Sequence, residues 1–319
     1  MNKSYLSYFI EIIRNKFYAE LFRSNYFRKL QEKNLKKAFS LKYRASHKES
    51  LNWENPQTLD AKIMWLEALS DTSVWSDLAD KYKVRDYIIQ KGYEEILPKC
   101  YGVWDRVEDI DFNILPKKFV IKCTHDCGSA IIIKDKAAEN WENIANCLKT
   151  KLIPIGWGMV VEPHYKKIKP RIIVEELLED QATQGLSSSL VDYKVWCFNG
   201  KPYIVLLCYD RKKKENGHSS VTVDLYTKDT WQHRRDLLTD KSAKYKDIPR
   251  PKCLEKMLDI AKDLSDGFPQ VRVDFYIINN KPYFGELTFT SAAASHYYFT
   301  EEAQREFAKA IDLTNVKLK

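Results

Sequence analysis

No uninterrupted apolar run in the chain approaches the roughly 18 residues that a membrane-spanning helix needs. Glu11, Arg14 and Lys16 fall where a secretory leader would be apolar, so the expectation is a cytoplasmic protein. Glycine and proline are sparse, ten and eleven in 319 residues, which excludes collagen-like and low-complexity chains. The seven cysteines (Cys100, Cys123, Cys127, Cys147, Cys197, Cys208, Cys253) are odd in number and scattered, as reduced thiols are, and do not suggest a disulfide framework. Cys123, His125 and Cys127 alternate, but no second cluster completes the three or four ligands that zinc requires. Aromatics are plentiful. With 14 Phe, 8 Trp and 19 Tyr inside a 44% hydrophobic content, the chain can build the core of one large or two medium domains.

The net charge of +8 is local. Residues 1–49 hold 12 of the 52 basic and 4 of the 44 acidic residues, so the rest of the chain carries 40 of each. From Ser4 to about Phe39, the residues Phe9, Ile13, Phe17 and Leu21 recur at i+4 beside Leu6, Ile10 and Tyr18, with Arg14, Lys16, Arg23, Lys29, Lys33, Lys36 and Lys37 between them. This is a basic amphipathic helix pattern. Such a segment either packs on its own domain with a solvated basic side or is drawn to an anionic membrane surface or polyanionic saccharide. Nucleic acid is disfavoured, because no binding motif accompanies the patch.

Residues 57–92 read as helical, with Thr58 as a cap, a second helix following Asp77, and Gly92 as the stop. Pro98 to Asn113 reads as irregular. From Pro116 the texture turns to β: Phe119 to Lys122, a polar break from Thr124 to Ser129, then Ala130 to Lys134. A helix is expected from Asn140 to about Leu152 and a strand from Arg171 to Glu176, which leads into a polar segment, Glu179 to Ser189. Two hairpins follow, Val191–Phe198 with Lys201–Tyr209 around Asn199-Gly200, and Gln270–Ile278 with Lys281–Thr290 around Asn279-Asn280. Between them lie a charged loop, Arg211 to Gly217, and a helix from Pro251 to Gly267; a last helix runs from Glu301 to Ile311.

Alternation places Arg272, Asp274 and Tyr276 on one face of their strand and Phe284, Glu286 and Thr288 on one face of the next. Asp274 faces Glu286 only if the connection is odd in count, either as a three-residue loop or through a bulge elsewhere. A strict two-residue turn splits them. In the odd register two carboxylates, a guanidinium and a hydroxyl share one patch, a set suited to Mg²⁺ bridging phosphate oxygens.

Arg272-Val-Asp274-Phe-Tyr and Phe284-Gly-Glu286-Leu-Thr288 resemble the metal-binding hairpin of ATP-grasp enzymes. Upstream, Phe119-Val-Ile-Lys122-Cys-Thr-His125-Asp-Cys-Gly128-Ser129, Ile173-Val-Glu175-Glu176-Leu-Leu178 and Asp192-Tyr-Lys194-Val-Trp-Cys-Phe-Asn-Gly-Lys-Pro resemble, in order, the TupA-like branch, associated with teichuronopeptide and other surface polysaccharides. The resemblance covers roughly residues 77 to 290. It implies an α/β (α+β) ATP-grasp fold with two subdomains clasping ATP: a basic helical extension (1–55), a helical linker subdomain (56–115), a small subdomain (116–178) and a C-terminal subdomain with the metal hairpin (179–319). It also implies roles. Arg85, Lys122 and the loop through His125, Gly128 and Ser129 would take ATP phosphates, while Glu175, Glu176 and Leu178 would form the adenine hinge. Asp192 would accept ribose hydroxyls, Lys194 would reach phosphate or substrate, and Arg272 would stabilise developing negative charge. Asp274 and Glu286 would hold Mg²⁺, with Thr288 in place of the usual Asn. The Ser291-Ala-Ala-Ala-Ser295-His296 loop departs from the glycine-rich segment usual there. The activity implied is ATP-dependent carboxylate-amine ligation through an acyl phosphate, joining a uronic acid of a saccharide or lipid-linked glycan to an amino acid or amine. The rivals are an ATP-dependent sugar phosphotransferase, a glycosyltransferase and a non-catalytic scaffold. Peripheral contact at the inner face of the plasma membrane, through residues 1–49, is the expected membrane relation.

Overall fold

The computed structural model describes residues 3–154, 161–180, 185–213 and 219–319. The side chains of Leu6, Phe9 and Ile10, part of the polar segment after Glu179 and the charged loop at 214–217 lie outside the described residues. In place of one long basic helix there are three: α1 (Lys3–Arg23), α2 (Asn25–Lys33) and α3 (Leu35–His47). The breaks fall at Ser24 and Asn34, whose side chains accept from the amides of Phe27 and Lys37 and so cap the following helix. Phe22, Phe27, Leu30, Phe39 and Tyr43 are buried in the core, while Ile13 and Phe17 on α1 stay exposed.

Helix α4 (Leu59–Leu69) starts with Thr58 accepting from the Ala61 amide. The helix expected after Asp77 is instead two short ones, α5 (Trp75–Ala79) and α6 (Val84–Gln90). The chain breaks because buried Asp80 turns its carboxylate onto the amides of Tyr82 and Lys83 and onto Arg171.

A small antiparallel sheet follows, formed by β1 (Cys100–Trp104), β2 (Phe119–Cys123), β3 (Ile131–Ile133) and β4 (Ile172–Glu175) in the order β1-β4-β2-β3. Strand β1 occupies a stretch expected to be irregular; its pairing partner β4 is some seventy residues away, so the order is tertiary. Helix α7 (Trp141–Lys151) lays Ile144 and Leu148 against Phe119, Ile121, Ile133, Ile172 and Val174. The opposite sheet face carries Val120, Lys122, Ile132, Ile173 and Glu175.

The larger sheet comprises β5 (Asp192–Phe198), β6 (Lys201–Lys213), β7 (Ser219–Thr227), β8 (Gln270–Ile278) and β9 (Lys281–Thr288), in the order β7-β6-β5-β8-β9. Helix α8 (Leu254–Ser265) covers one face, burying Leu254, Met257, Ala261 and Leu264 against Val195, Cys197, Val271 and Val273. On the other face, Trp196, Phe198, Leu206 and Leu225 pack with the N-terminal helices and with α9 (Glu301–Lys309). The polar residues of β5, β8 and β9 continue that second face toward the small sheet.

The β8–β9 turn is a strict two-residue one, with Asn279 and Asn280 both left-handed at φ 49° and 62°. Near the turn Phe275 pairs with Phe284; one step further Asp274 pairs with Glu286, because Gly285 is an extra, bulged residue. The carboxylates therefore share a face through the bulge. A Cβ at Gly285 would lie 3.0 Å from the Asp274 carbonyl oxygen, so only glycine fits without displacement. Gly285→Ala is expected to lower stability by about 1–3 kcal/mol and to weaken nucleotide binding through a shifted Glu286. Unchanged denaturant midpoint and nucleotide affinity would contradict this role for the bulge.

Candidate active site

Strand pairing lines up Lys194, Asp274 and Glu286 across β5, β8 and β9, with Trp196, Arg272 and Thr288 in the adjacent row. Arg272, 8% exposed, holds Asp274 bidentately, Nε to Oδ1 and Nη2 to Oδ2 both at 2.7 Å. The same guanidinium reaches Glu286 Oε1 at 3.4 Å, Thr288 Oγ1 at 3.2 Å and the Ser291 hydroxyl. Lys194 Nζ donates to Asp274 and lies 4.0 Å from Asp192, which also accepts from Arg211 at 2.9 Å. Thr288 donates to Glu286 at 3.0 Å, so its hydroxyl links the second carboxylate to Arg272.

Charge in this patch is stabilised from several directions. Burial alone would raise the Glu286 carboxyl, but Lys81, Lys194 and Arg272 together bring it down to about 2. Burial likewise opposes the charge on Lys194, and Asp274 more than restores it, so the ammonium titrates above its ordinary range. Glu286 is thus held ionised, and both carboxylates are crowded by cations.

Lys81 comes from the break between α5 and α6 and was not singled out by the sequence. Its amide bonds the Thr124 carbonyl at 3.0 Å and its ammonium the Asp126 carbonyl, which ties the loop after β2 to the β9 carboxylate it neutralises. That loop is stapled from within: Ser129 Oγ accepts from the Cys123 amide at 2.8 Å and donates to Asp126. Gly128 has φ 90° and space around its Cα. The His125 ring is buried and bonded to the Ile153 carbonyl at 2.8 Å, so what the loop offers outward at this position is backbone. Cys127 senses Lys81, Glu286 and Glu162, which places the loop tip over the hairpin.

Further along the cleft, Glu175 joins Arg85 at 3.1 Å to Lys122 at 2.6 Å, and Arg85 also holds the Pro98 carbonyl. Glu176 is exposed and its amide is bonded to the Lys99 carbonyl at 2.8 Å. Leu178 lies in the segment after β4 that leads toward the larger sheet. The sequence-expected residues thus fall into two groups: the row at Lys194, Arg272, Asp274, Glu286 and Thr288, with Asp192 beside it, and the Arg85–Glu175–Lys122 chain with the loop at 125–129. Lys81 links the two. Tyr165 also belongs here; its phenol is buried and held well above its ordinary range by burial and by Glu286 and Glu162.

Behind the site, Ser291 leads into three consecutive left-handed alanines, Ala292, Ala293 and Ala294, at φ 48–52°. Lys42 of α3 donates to the Ala293 carbonyl, and buried Asp60 grips His296 through its ring and amide. This strained turn replaces the usual glycines and is fixed by the helices packed on it. Beneath it Glu67, fully buried, has no hydrogen-bond partner on either oxygen among the described residues and lies 3.5 Å from His164 Nδ1. Burial holds its carboxyl above the ordinary range, with Lys42 drawing it partly back. The folded state therefore retains a proton that the unfolded chain releases, so stability present in the ordinary carboxylate range is lost as pH rises through neutrality. Glu67→Gln should remove that loss: its advantage over the parent in denaturant midpoint should grow from pH 5 to pH 8. Parallel pH curves would contradict the assignment.

Solved structures similar to this chain include two D-alanine–D-alanine ligases and an L-amino acid ligase. D-alanine–D-alanine ligase from Bacillus anthracis is 16% identical, aligned over 69% of this chain and 59% of its own, with a TM-score of 0.40. The corresponding ligase from Helicobacter pylori is 14% identical over 79% and 69% (TM-score 0.40), and L-amino acid ligase from Bacillus licheniformis 12% over 86% and 61% (0.47). The chain thus spans less than two thirds of the Bacillus anthracis enzyme. No curated protein matches it. The sequence model of TupA-like ATP-grasp proteins matches residues 61–312, a span that contains both sheets and every charged residue of the cleft. The chain belongs to the TupA-like ATP-grasp family.

Proposed function

We propose that the protein is an ATP-dependent carboxylate-amine ligase that forms an amide through an acyl phosphate, in surface polysaccharide synthesis. The observation that carries this is the convergence of Lys194, Arg272 and Lys81 on two facing carboxylates, Asp274 and Glu286, beneath the 124–130 loop. ATP would lie between the segments 116–178 and 179–319. Val120 and Ile132 offer it an apolar platform, the segment after Glu175 would offer backbone groups, and Asp192 would face the ribose. Arg85 and Lys122 would approach its phosphates.

Among the described residues no group of three or more His, Cys, Asp or Glu gathers for a metal. Two facing carboxylates do, and that is the complement Mg²⁺ takes when phosphate oxygens and water complete its shell. Asp274 and Glu286 would hold it, and when bound it would neutralise phosphate charge.

In the first step the substrate carboxylate attacks the γ-phosphorus and ADP leaves; Arg272 and Lys194 balance charge on the transferring group. In the second step the amine attacks the acyl carbon, phosphate departs and the amine loses a proton. Glu162, held above the usual carboxylate range by burial and bonded by the Thr290 hydroxyl, is the cleft group suited to take that proton. A uronic acid carboxylate and an amino acid or amine are the proposed substrates, and the family context supports them. Residues 1–49 suit contact with an anionic inner membrane face, since Ile13 and Phe17 stand exposed beside a basic segment. Among the described residues no helix is long and apolar enough to cross a membrane.

Glu286→Gln should lower ATP turnover on the order of 10²-fold or more, with little change in denaturant midpoint. ADP release by the parent should require both a uronate and an amine, and mass spectrometry should find an amide. A phosphorylated sugar formed without amine, or equal loss of fold and activity in the variant, would contradict the proposal.

A further inference from the structure

The sheet face that carries the carboxylates extends past them, through β5 and β6, to the edge strand β7. There it ends in a groove of about 500 Å³. Val221 and Val223 of β7 form its base, and Thr239, Asp240, Tyr245, Tyr297 and Tyr298 rise around it. Nothing in the proposed chemistry of ATP uses these residues.

Tyr297 is 86% exposed. Its frame is rigid. The Thr239 amide donates to the Tyr298 carbonyl at 3.0 Å, and the Thr239 hydroxyl to the Tyr297 carbonyl at 3.1 Å, with a bridge from Leu238 to Phe299 beside them. Tyr298 stands edge-on to Tyr297 at 5.6 Å. Across the groove the Tyr245 hydroxyl donates to the Asp240 carbonyl at 2.6 Å, and its ring lies under Arg235 at 4.4 Å. The backbone that carries Tyr297 is therefore fixed, the Tyr245 ring is held half-buried across from it, and hydroxyl and carboxylate acceptors rim them.

That combination suits one ligand chemistry. A pyranose ring presents apolar C–H faces, which an aromatic ring covers, and an equatorial rim of hydroxyls, which Thr, Ser and Asp side chains bond. A dry, flat protein interface would not need the polar rim, and an isolated phosphate would not need the rings. The groove also leads somewhere. Tyr298, in its wall, bonds Ser291 and feels the Arg272 guanidinium, and β7 lies three strands from β8, about 14 Å at the usual strand spacing.

We propose that this groove binds the pyranose chain of a saccharide substrate, with Tyr297 and Tyr245 stacking on its rings and Tyr298 directing its end toward Arg272. What the groove delivers rests on the ligase reading; what it holds does not. Binding can therefore be read without turnover. Calorimetric titration, in the absence of ATP, of an α-1,4-linked galacturonate tetramer and of maltotetraose would be made into the parent protein, Tyr297→Ala, Tyr297→Phe, Tyr245→Ala and Glu286→Gln. At least one tetramer should bind the parent. Its affinity should fall on the order of tenfold or more in Tyr297→Ala, stay near parental in Tyr297→Phe, and be unaffected by Glu286→Gln. If neither tetramer binds, or if Tyr297→Ala and Tyr245→Ala bind as the parent does, the groove is not a saccharide site. Intact binding in a protein that never forms an amide would overturn the ligase reading alone.

Discussion

Two carboxylates facing each other under three cations, on one face of an antiparallel sheet, are the constraint from which the rest of the architecture follows. Arg272 is almost wholly buried, and an unpaired guanidinium there would be heavily destabilising. Its two parallel bonds to Asp274, with Thr288 and Ser291 filling further donors, offset that burial. Glu286 lies at the margin of the group and is the more accessible of the two carboxylates. The array exists because Gly285 bulges. Without one extra residue in β9, the two-residue Asn279-Asn280 turn would send Glu286 to the face that α8 covers.

The parts around the array hold its geometry. Helix α8 supports the sheet from behind, while the helical region ahead of the sheets fixes the loop that follows β9. Lys42 and Asp60, from α3 and α4, bond Ala293 and His296, and between them the chain keeps three left-handed alanines that isolated peptide would avoid. The segment that carries the excess positive charge of the sequence is therefore structural as well, because part of its basic side is buried to position Ser291 against Arg272. The same loop continues into Tyr297 and Tyr298, so phosphate chemistry and the aromatic groove share one support.

Much of this was legible in the residues. Alternation identified the face of β8, and the pairing of Asp274 with Glu286 was recognisable as depending on a bulge, although its position at Gly285 was not; that bulge turns Phe284, expected beside Glu286, to the face that α8 covers. Thr58 was readable as a cap and caps its helix, while Asn140, read as the first residue of its helix, is the cap. Other features were set by distant partners. Strand β1 is short, contains Gly102 and is ordered by β4. Asp80 breaks a helical pattern because Arg171 and two amides compete for it. Ser24 and Asn34 divide what periodicity joined, and cap chemistry at those two positions was the available signal. Strand β7 showed Val221, Val223 and Leu225 in alternation, a pattern that was there to be read. Lys81, Glu162 and Tyr165 carry no motif; only the folded chain brings Lys81 and Tyr165 within electrostatic reach of Glu286, and Glu162 within reach of Tyr165.

The central claim is that a nucleoside triphosphate bridges the loop after β2 and the β8–β9 hairpin. A crystal structure of the protein with a non-hydrolysable ATP analogue and Mg²⁺ tests it most directly. Phosphate oxygens are expected against the 124–130 backbone and Lys81, with metal density contacting both Asp274 and Glu286. Nucleotide bound elsewhere, or lying in this cleft with neither carboxylate touching metal, would contradict it.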